Sequence, residues 1–256
     1  MSAPEDLLLE LGCEELPARE QVPLQDAATE IMGQLLDKAG VQYGSIRGYV
    51  TPRRLALWIK DVSRQSLPQE TLRRGPPVER ARDARGRHTA AAEGFARSCG
   101  VSVDDLLTLE TDKGPILAWR EVGAAQDSHL LLPEIASKLV ASLPLRKRMH
   151  WGERPDSFLR PVRWLLLRQG QQVLDWNVFG LAAGGESFGH RVHHPQSVQI
   201  TTPADYAESL LQAKVMADFA ERRARIASKI ATLADEMAVI PILPEALLDE
   251  ITGLNE

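Results

Sequence analysis

An α+β fold with mixed sheets and a helical C-terminal segment is expected for this chain, on three observations. Stretches of helical period stand among short apolar runs, as at 128–142, where Leu131, Ile135, Leu139 and Val140 fall on one side. Residues 55–62 alternate with period two, Leu55, Leu57 and Ile59 on one face and Ala56, Trp58 and Lys60 on the other. Asp112-Lys113-Gly114 and Gln169-Gly170-Gln171 each sit between strand-like runs, as hairpin turns do.

The elements follow in order. Leu7-Leu8-Leu9-Glu10-Leu11 reads as a strand, broken by Gly12-Cys13-Glu14-Glu15-Leu16-Pro17. A helix from Ala18 to Ala39 should stop at Gly40. Glu14 and Glu15 stand near its start, where the helix dipole favours carboxylates. The functional alternative is an acidic pair that grips an amine, a metal or a partner's Arg. Strands at 46–50 and 55–62 flank the turn Thr51-Pro52-Arg53-Arg54. Residues 64–87 read as loop, carrying Arg73, Arg74, Arg80, Arg82, Arg85 and Arg87 around Pro76-Pro77. The prolines force extended backbone, suited to tracking phosphates or to a solvated linker. A short helix at 89–99 precedes a capping-box pattern at Ser102–Asp105.

Strands at 106–109 and 116–122, the 128–142 helix, and a hairpin of 162–167 with 172–178 come next. Gly184 to Arg191 reads as a glycine-rich loop without the Lys-Ser/Thr ending of a P-loop or dinucleotide spacing. His190, His193 and His194 raise zinc, but no nearby carboxylate or Cys completes a tetrahedral set. Thr202-Pro203 opens a helix, 218–239 is a long charged helix, and the last turns run from Glu245 to Leu254. The expected division is a mixed domain at 1–202 and a helical segment at 203–256.

Composition narrows the function classes. Apolar residues make up 44% of the 256 and charged residues 25%, ordinary for a globular protein. No apolar run is long enough to span a membrane, and the acidic N-terminus lacks a signal-peptide pattern. Two cysteines, Cys13 and Cys99, fit a reducing cytoplasm. The net charge of −5 hides blocks: residues 51–100 carry a net +6 and 144–200 a net +4, within otherwise acidic sequence. Residues 144–164 hold six Arg or Lys against two acids, with Trp151, Phe158 and Trp164 interleaved. Guanidinium forks hold phosphates and aromatic faces stack on unpaired bases. A solvated basic loop with core aromatics would look the same.

Several blocks in fixed order carry a resemblance. They are Leu9-Glu10-Leu11-Gly12-Cys13-Glu14-Glu15-Leu16-Pro17, Thr51-Pro52-Arg53-Arg54-Leu55-Ala56-Leu57, Arg74-Gly75-Pro76-Pro77, and Ala91-Ala92-Glu93-Gly94-Phe95-Ala96-Arg97. Thr111-Asp112-Lys113-Gly114, Met149-His150-Trp151-Gly152, Phe158-Leu159-Arg160-Pro161-Val162 and Gly189-His190-Arg191 continue the series. Together they resemble the N-terminal part of the β subunit of bacterial tetrameric glycyl-tRNA synthetase, whose chain continues well past Glu256. The resemblance implies a non-catalytic part of a glycine–tRNA ligase in the cytoplasm. ATP and Mg would act at a partner α subunit in an α2β2 assembly, and this chain would engage glycine tRNA and dock α. It also implies an architecture similar to the editing-type domain of phenylalanyl-tRNA synthetase β.

No catalytic residue, metal or cofactor is assigned to this chain. Candidate phosphate contacts are Arg53, Arg54, Arg73, Arg74, Arg146, Lys147, Arg148, Arg160, Arg163 and Arg191, and candidate stackers are Trp151 and Phe158. The Phe158–Pro161 and Gly189–Arg191 blocks could instead be internal struts, with Arg160 paired to a buried acid. The rivals are an editing hydrolase using His190 with Glu186 or Glu14, and a scaffold that only holds α.

Overall fold

Leu7 to Leu11 can bury both faces of one strand only at the middle of a sheet covered on both sides, and the structure puts them there. A computed structural model describes residues 3–83, 86–153 and 155–256. Arg85 and Arg154 lie outside these. The described chain divides into two compact units, one running to Ser66 and resuming at Asp127–Glu256, the other Leu67–Gln126.

In chain order the larger unit begins with β1 (Glu5–Cys13), α1 (Ala18–Ala39), β2 (Ile46–Thr51) and β3 (Arg54–Val62). The smaller unit holds β4 (Glu70–Pro77), α2 (Ala90–Cys99), β5 (Leu107–Leu109) and β6 (Ile116–Val122). The larger resumes with α3 (Ser128–Ser142), β7 (Met149–His150), β8 (Ser157–Phe158), β9 (Val162–Gln169), β10 (Gln172–Val173), β11 (Asn177–Val178) and β12 (Leu181–Gly184). It ends with β13 (Glu186–Phe188), β14 (Ser197–Gln199), α4 (Tyr206–Gln212), α5 (Phe219–Glu236) and α6 (Glu245–Leu254).

The main sheet runs β11-β12-β9-β1-β3-β2, with β10 paired to β9. The β12–β9 pair is parallel and the β1 pairings are antiparallel, so the sheet is mixed. Leu7, Leu9, Leu11, Leu55, Leu57, Ile59, Leu165 and Leu167 face α1 and α3, which contribute Leu24, Met32, Leu36, Leu132, Ile135 and Leu139. Leu8, Ala56 and Leu166 face the other way, against Tyr49, Tyr206, Leu210 and Val215. Full burial of each such Leu contributes about 1.5–3 kcal/mol relative to exposure. The smaller unit has its own sheet, β4-β6-β5, and a small core of Ala81, Ala92 and Leu117.

Helix α1 ends as expected, at Gly40 with φ 68°. Ser102–Asp105 forms its capping box, on a 3-10 turn. Three expectations change. Residues 70–77, expected as loop, are strand β4, because their carbonyls and amides pair with β6 despite the prolines. The expected 162–178 hairpin closes only through the two-residue β10; Asn177 and Val178 turn away to pair with β12. The glycine-rich stretch is mostly strand, β12 and β13, with β13 paired to β14. The division at 202/203 also falls elsewhere. Residues 203–256 belong with the main sheet, because Arg222 donates to Val50 O (3.0 Å) and Thr252 O (3.1 Å), and Gln21 donates to Gly253 O (2.6 Å).

Candidate nucleic-acid interface

The resembling blocks of the larger unit meet at one end of β1. Backbone amides fix the meeting: Cys13 N donates to Arg53 O (2.8 Å), Leu16 N to Pro52 O (2.6 Å), and Glu14 N to Pro161 O (3.0 Å). Side chains close it. Arg163 Nε donates to Glu14 Oε1 (2.6 Å) and Arg191 Nη2 to Glu14 Oε2 (2.9 Å). Arg191 Nη1 also lies 2.6 Å from Glu15 Oε1. The Arg163 hydrogen bond, with the charges of Arg163, Arg191 and Arg53 behind it, outweighs partial burial and holds the Glu14 carboxyl below its ordinary range. So Glu14 and Glu15 are used as a clamp on two arginines, rather than as charges at a helix start.

Beneath this surface lies a buried polar network on the β1–β3–β9 face. Register places Gly12 between Arg54 and Trp164, and Glu10 between Ala56 and Leu166. A Cβ on Gly12 would stand 1.8 Å from Trp164 Cε2, so only glycine lets the indole lie across β1. The indole Nε1 donates to Glu10 Oε1 (2.7 Å), and Ser187 Oγ donates to the same oxygen (2.8 Å). Arg54 Nη1 donates to Ser187 Oγ (3.2 Å) and stands 3.9 Å from Glu10 Oε1, both residues being 0% exposed. Arg54 Nε donates to Thr51 Oγ1 (3.2 Å), and its Nη2 reaches Glu256 Oε2 (3.5 Å). Burial works against the Arg54 charge, but Glu10, the Tyr206 phenol and Glu256 outweigh it and raise the pKa. Burial first, then Glu10, pushes Tyr206 well up. Burial likewise pushes the Cys13 thiol up, which leaves it inert as a nucleophile.

This geometry sorts the candidates. Arg54 and Phe158 are each 0% exposed and cannot meet an external ligand. Arg54 is a strut held by Glu10, and Phe158 is core, its ring centroid 5.8 Å from that of Phe179. The buried acid thus pairs with Arg54, while Arg160 is half-buried and donates to Leu159 O (2.8 Å). Trp151 is half-buried with its centroid 5.5 Å from Phe179. Arg53 is half-buried, its guanidinium 5.6 Å over the Trp164 ring. Arg163 and Arg191 are exposed but clamped by Glu14. Arg73 and Arg74 lie on β4 of the smaller unit; Arg73 donates to Ser98 O (3.0 Å), and Arg74 is exposed.

Arg146, Lys147 and Arg148 are all exposed, on the segment between α3 and β7. Arg148 donates to Ser157 O (3.3 Å); Arg146 and Lys147 have no ion-pair partner among the described residues. His190 Nδ1 accepts from Val192 N (3.1 Å) and His193 N (3.2 Å), and Glu186 accepts from Gln199. Both side chains of the hydrolase rival are therefore engaged in holding local structure. Among the described residues, no three or more His, Cys, Asp or Glu are grouped to hold a metal ion.

Glu10, Thr51 and Ser187 escape a sequence reading that looks for external contacts. One signal is present for Glu10, a carboxylate inside the apolar run Leu7 to Leu11.

What these features define is an α+β chain in which sequence blocks of the larger unit are joined at one end of β1 by backbone hydrogen bonds, the Glu14 ion pairs and the buried Arg54–Glu10 network. The model of the family "Glycyl-tRNA synthetase beta subunit" matches residues 7–256, and the chain belongs to that family. It is 85% identical over 256 residues to the glycine–tRNA ligase beta subunit of Acidithiobacillus ferrooxidans, all of this chain and 37% of that one. Identity is 41% over 253 residues with the corresponding subunit of Hahella chejuensis, and 43% over 256 residues with that of Marinobacter nauticus. In both cases 98–99% of this chain aligns to 37% of the relative. The chain thus spans a little over a third of the length of these relatives. Among the described residues, no helix is long and apolar enough to cross a membrane.

Proposed function

We propose that this chain is the tRNA-engaging and subunit-docking part of a glycine–tRNA ligase, with adenylate chemistry, ATP and Mg belonging to a partner α subunit in an α2β2 assembly in the cytoplasm. The observation that carries the RNA reading is the exposed run Arg146-Lys147-Arg148, with two of its three cations free of any carboxylate among the described residues, in a chain of net charge −5. Such cations can turn toward phosphates without breaking an ion pair, whereas Arg163 and Arg191 must first leave Glu14. Arg74 on the smaller unit is the next candidate, and half-buried Trp151 follows the basic run closely in sequence.

The fold is proposed to be similar to the editing-type domain of phenylalanyl-tRNA synthetase β, without its activity. The test is tRNA binding across a salt series. The double charge reversal Arg146→Glu with Arg148→Glu should weaken glycine tRNA binding and lower the slope of log affinity against log salt by about 2, while α binding persists. Unchanged tRNA affinity in that variant would move the assignment to a scaffold for α. Release of a noncognate amino acid from charged tRNA would move it to an editing hydrolase.

A further inference from the structure

The three-stranded sheet of the smaller unit is apolar on both faces, and α2 covers one of them. On that side Leu117 packs with Ala92 and Phe95, a Cβ on Gly75 would run into the Phe95 ring, and Arg73 donates to Ser98 O (3.0 Å). Successive residues of a strand point to opposite faces, and cross-strand partners share a face. The pairs Arg74–Ala118, Leu107–Ala118, Leu109–Ile116 and Leu72–Arg120 therefore lie on the second face, together with Val122. We propose that this second face docks a partner protein whose own surface there is apolar around a carboxylate.

The sequence pattern carries the first half of this. An antiparallel sheet with one solvated face alternates apolar and polar residues, whereas strands covered on both sides read as continuous apolar runs. β5 and β6 are of the second kind: Leu106-Leu107 and Ile116-Leu117-Ala118-Trp119 send apolar side chains to both faces. Yet on the second face Leu72 is 41%, Leu107 42% and Val122 60% exposed. Exposed apolar side chains scattered singly are ordinary, but three on one face of so small a sheet mark a contact surface.

Charge selects the occupant. Arg120 on this face is matched by Glu70, 3.6 Å away. Arg74 is exposed and has no ion-pair partner among the described residues. Arg74 and Leu107 flank Ala118 from its two sides, so the guanidinium stands among aliphatic side chains. Covering it with an apolar surface alone would strand a charge, and an opposing carboxylate removes that cost. An RNA strand would answer the guanidinium but not the aliphatic groups. Bases stack on aromatic rings, and Trp119, paired with Arg73, lies on the α2 side. A protein surface with an apolar centre and a carboxylate meets both requirements. Under the proposed function that surface belongs to the α subunit. The inference rests on the docking half of that reading and assigns Arg74 to protein rather than to RNA.

The test is calorimetric titration of the full chain with α, and separately with glycine tRNA, in two variants. Leu72→Thr with Leu107→Thr and Val122→Thr removes apolar surface while keeping strand preference. Arg74→Gln removes the charge alone. The expected result is affinity for α lowered roughly tenfold or more in the threonine variant, and several-fold in Arg74→Gln. Affinity for glycine tRNA in the absence of α should be unchanged, and thermal midpoints should stay within a few degrees of the parent. Affinity for α unchanged in either variant overturns the proposal while leaving the docking reading in place. Loss of glycine tRNA affinity in the threonine variant gives the face to RNA and also overturns it. A midpoint far below the parent's in the absence of α means that the chain covers this face itself, with the same consequence. A parent chain that does not bind α overturns the docking reading and this inference with it.

Discussion

Arg54 shows what a single side chain does in this molecule. It is 0% exposed beside an equally buried Glu10, and its guanidinium also serves Ser187 and Thr51. Removing one partner of a buried pair strands the other, so Arg54→Met should destabilise by about 3–5 kcal/mol. Adding Glu10→Gln should recover part of that loss; chemical denaturation of the two variants checks it. Gly12→Ala brings a methyl to within 1.8 Å of the Trp164 ring, and this overpacking should cost about 1–3 kcal/mol with a change in Trp164 fluorescence. Glu14 gives the pH signature. Its folded pKa lies below the ordinary 4.5, so its contribution is full above about 4.5 and is lost as pH falls through the folded value. The stability gap between the parent and Glu14→Gln should be present at pH 7 and shrink steadily below pH 4.5.

At the scale of elements, the join between the C-terminal helices and the sheet rests on Arg222. It reaches carbonyls of β2, of the segment before α5 and of α6 from one buried guanidinium, and burial pushes its pKa down to about 10. Arg222→Ala leaves those carbonyls without their donor, each costing about 1–3 kcal/mol. Amide exchange of α5 and α6 should quicken first; uniformly slow exchange there would mean that other packing holds the join. Helices α1 and α3 and the β2–β3 hairpin were legible because a helical stripe or a period of two fixes the buried face, and Gly40 fixes a stop. β4 was not, because its arginines and prolines mimic a linker and its pairing comes only from β6 across a long sequence gap. β12 and β13 have four and three residues, too few for periodicity to register. The site was half legible for a related reason. Arginine content marks charge, but only tertiary pairing separates Arg54, buried on Glu10, from Arg146, exposed on the surface.

For the whole molecule, the consequence of the two units is that one should survive removal of the other. The chain leaves the larger unit near Gln65 and returns at Asp127, and these two residues form an antiparallel bridge. Ser128 N donates to Arg64 O (2.9 Å), and Arg64 Nη2 donates to Asp127 Oδ2 (3.0 Å). Ends that already lie side by side can be joined by a few Gly and Ser residues, and closing a shorter loop has a smaller entropic cost. The main sheet keeps its central strands, β1, β3 and β9, and both of its buried faces without any residue of Leu67–Gln126. A chain with 67–126 replaced by such a linker should therefore unfold cooperatively with its helical circular dichroism largely intact. If the chain binds RNA as proposed, the affinity of this shortened form separates the two basic blocks. Arg73 and Arg74 leave with the smaller unit, while Arg146, Lys147 and Arg148 remain. If both blocks meet phosphates, affinity should fall and the salt slope should drop by about 1 for each phosphate that is no longer neutralised. An unchanged slope would place the proposed RNA contacts on the larger unit, and failure of the shortened chain to fold would show that the larger unit depends on the insertion.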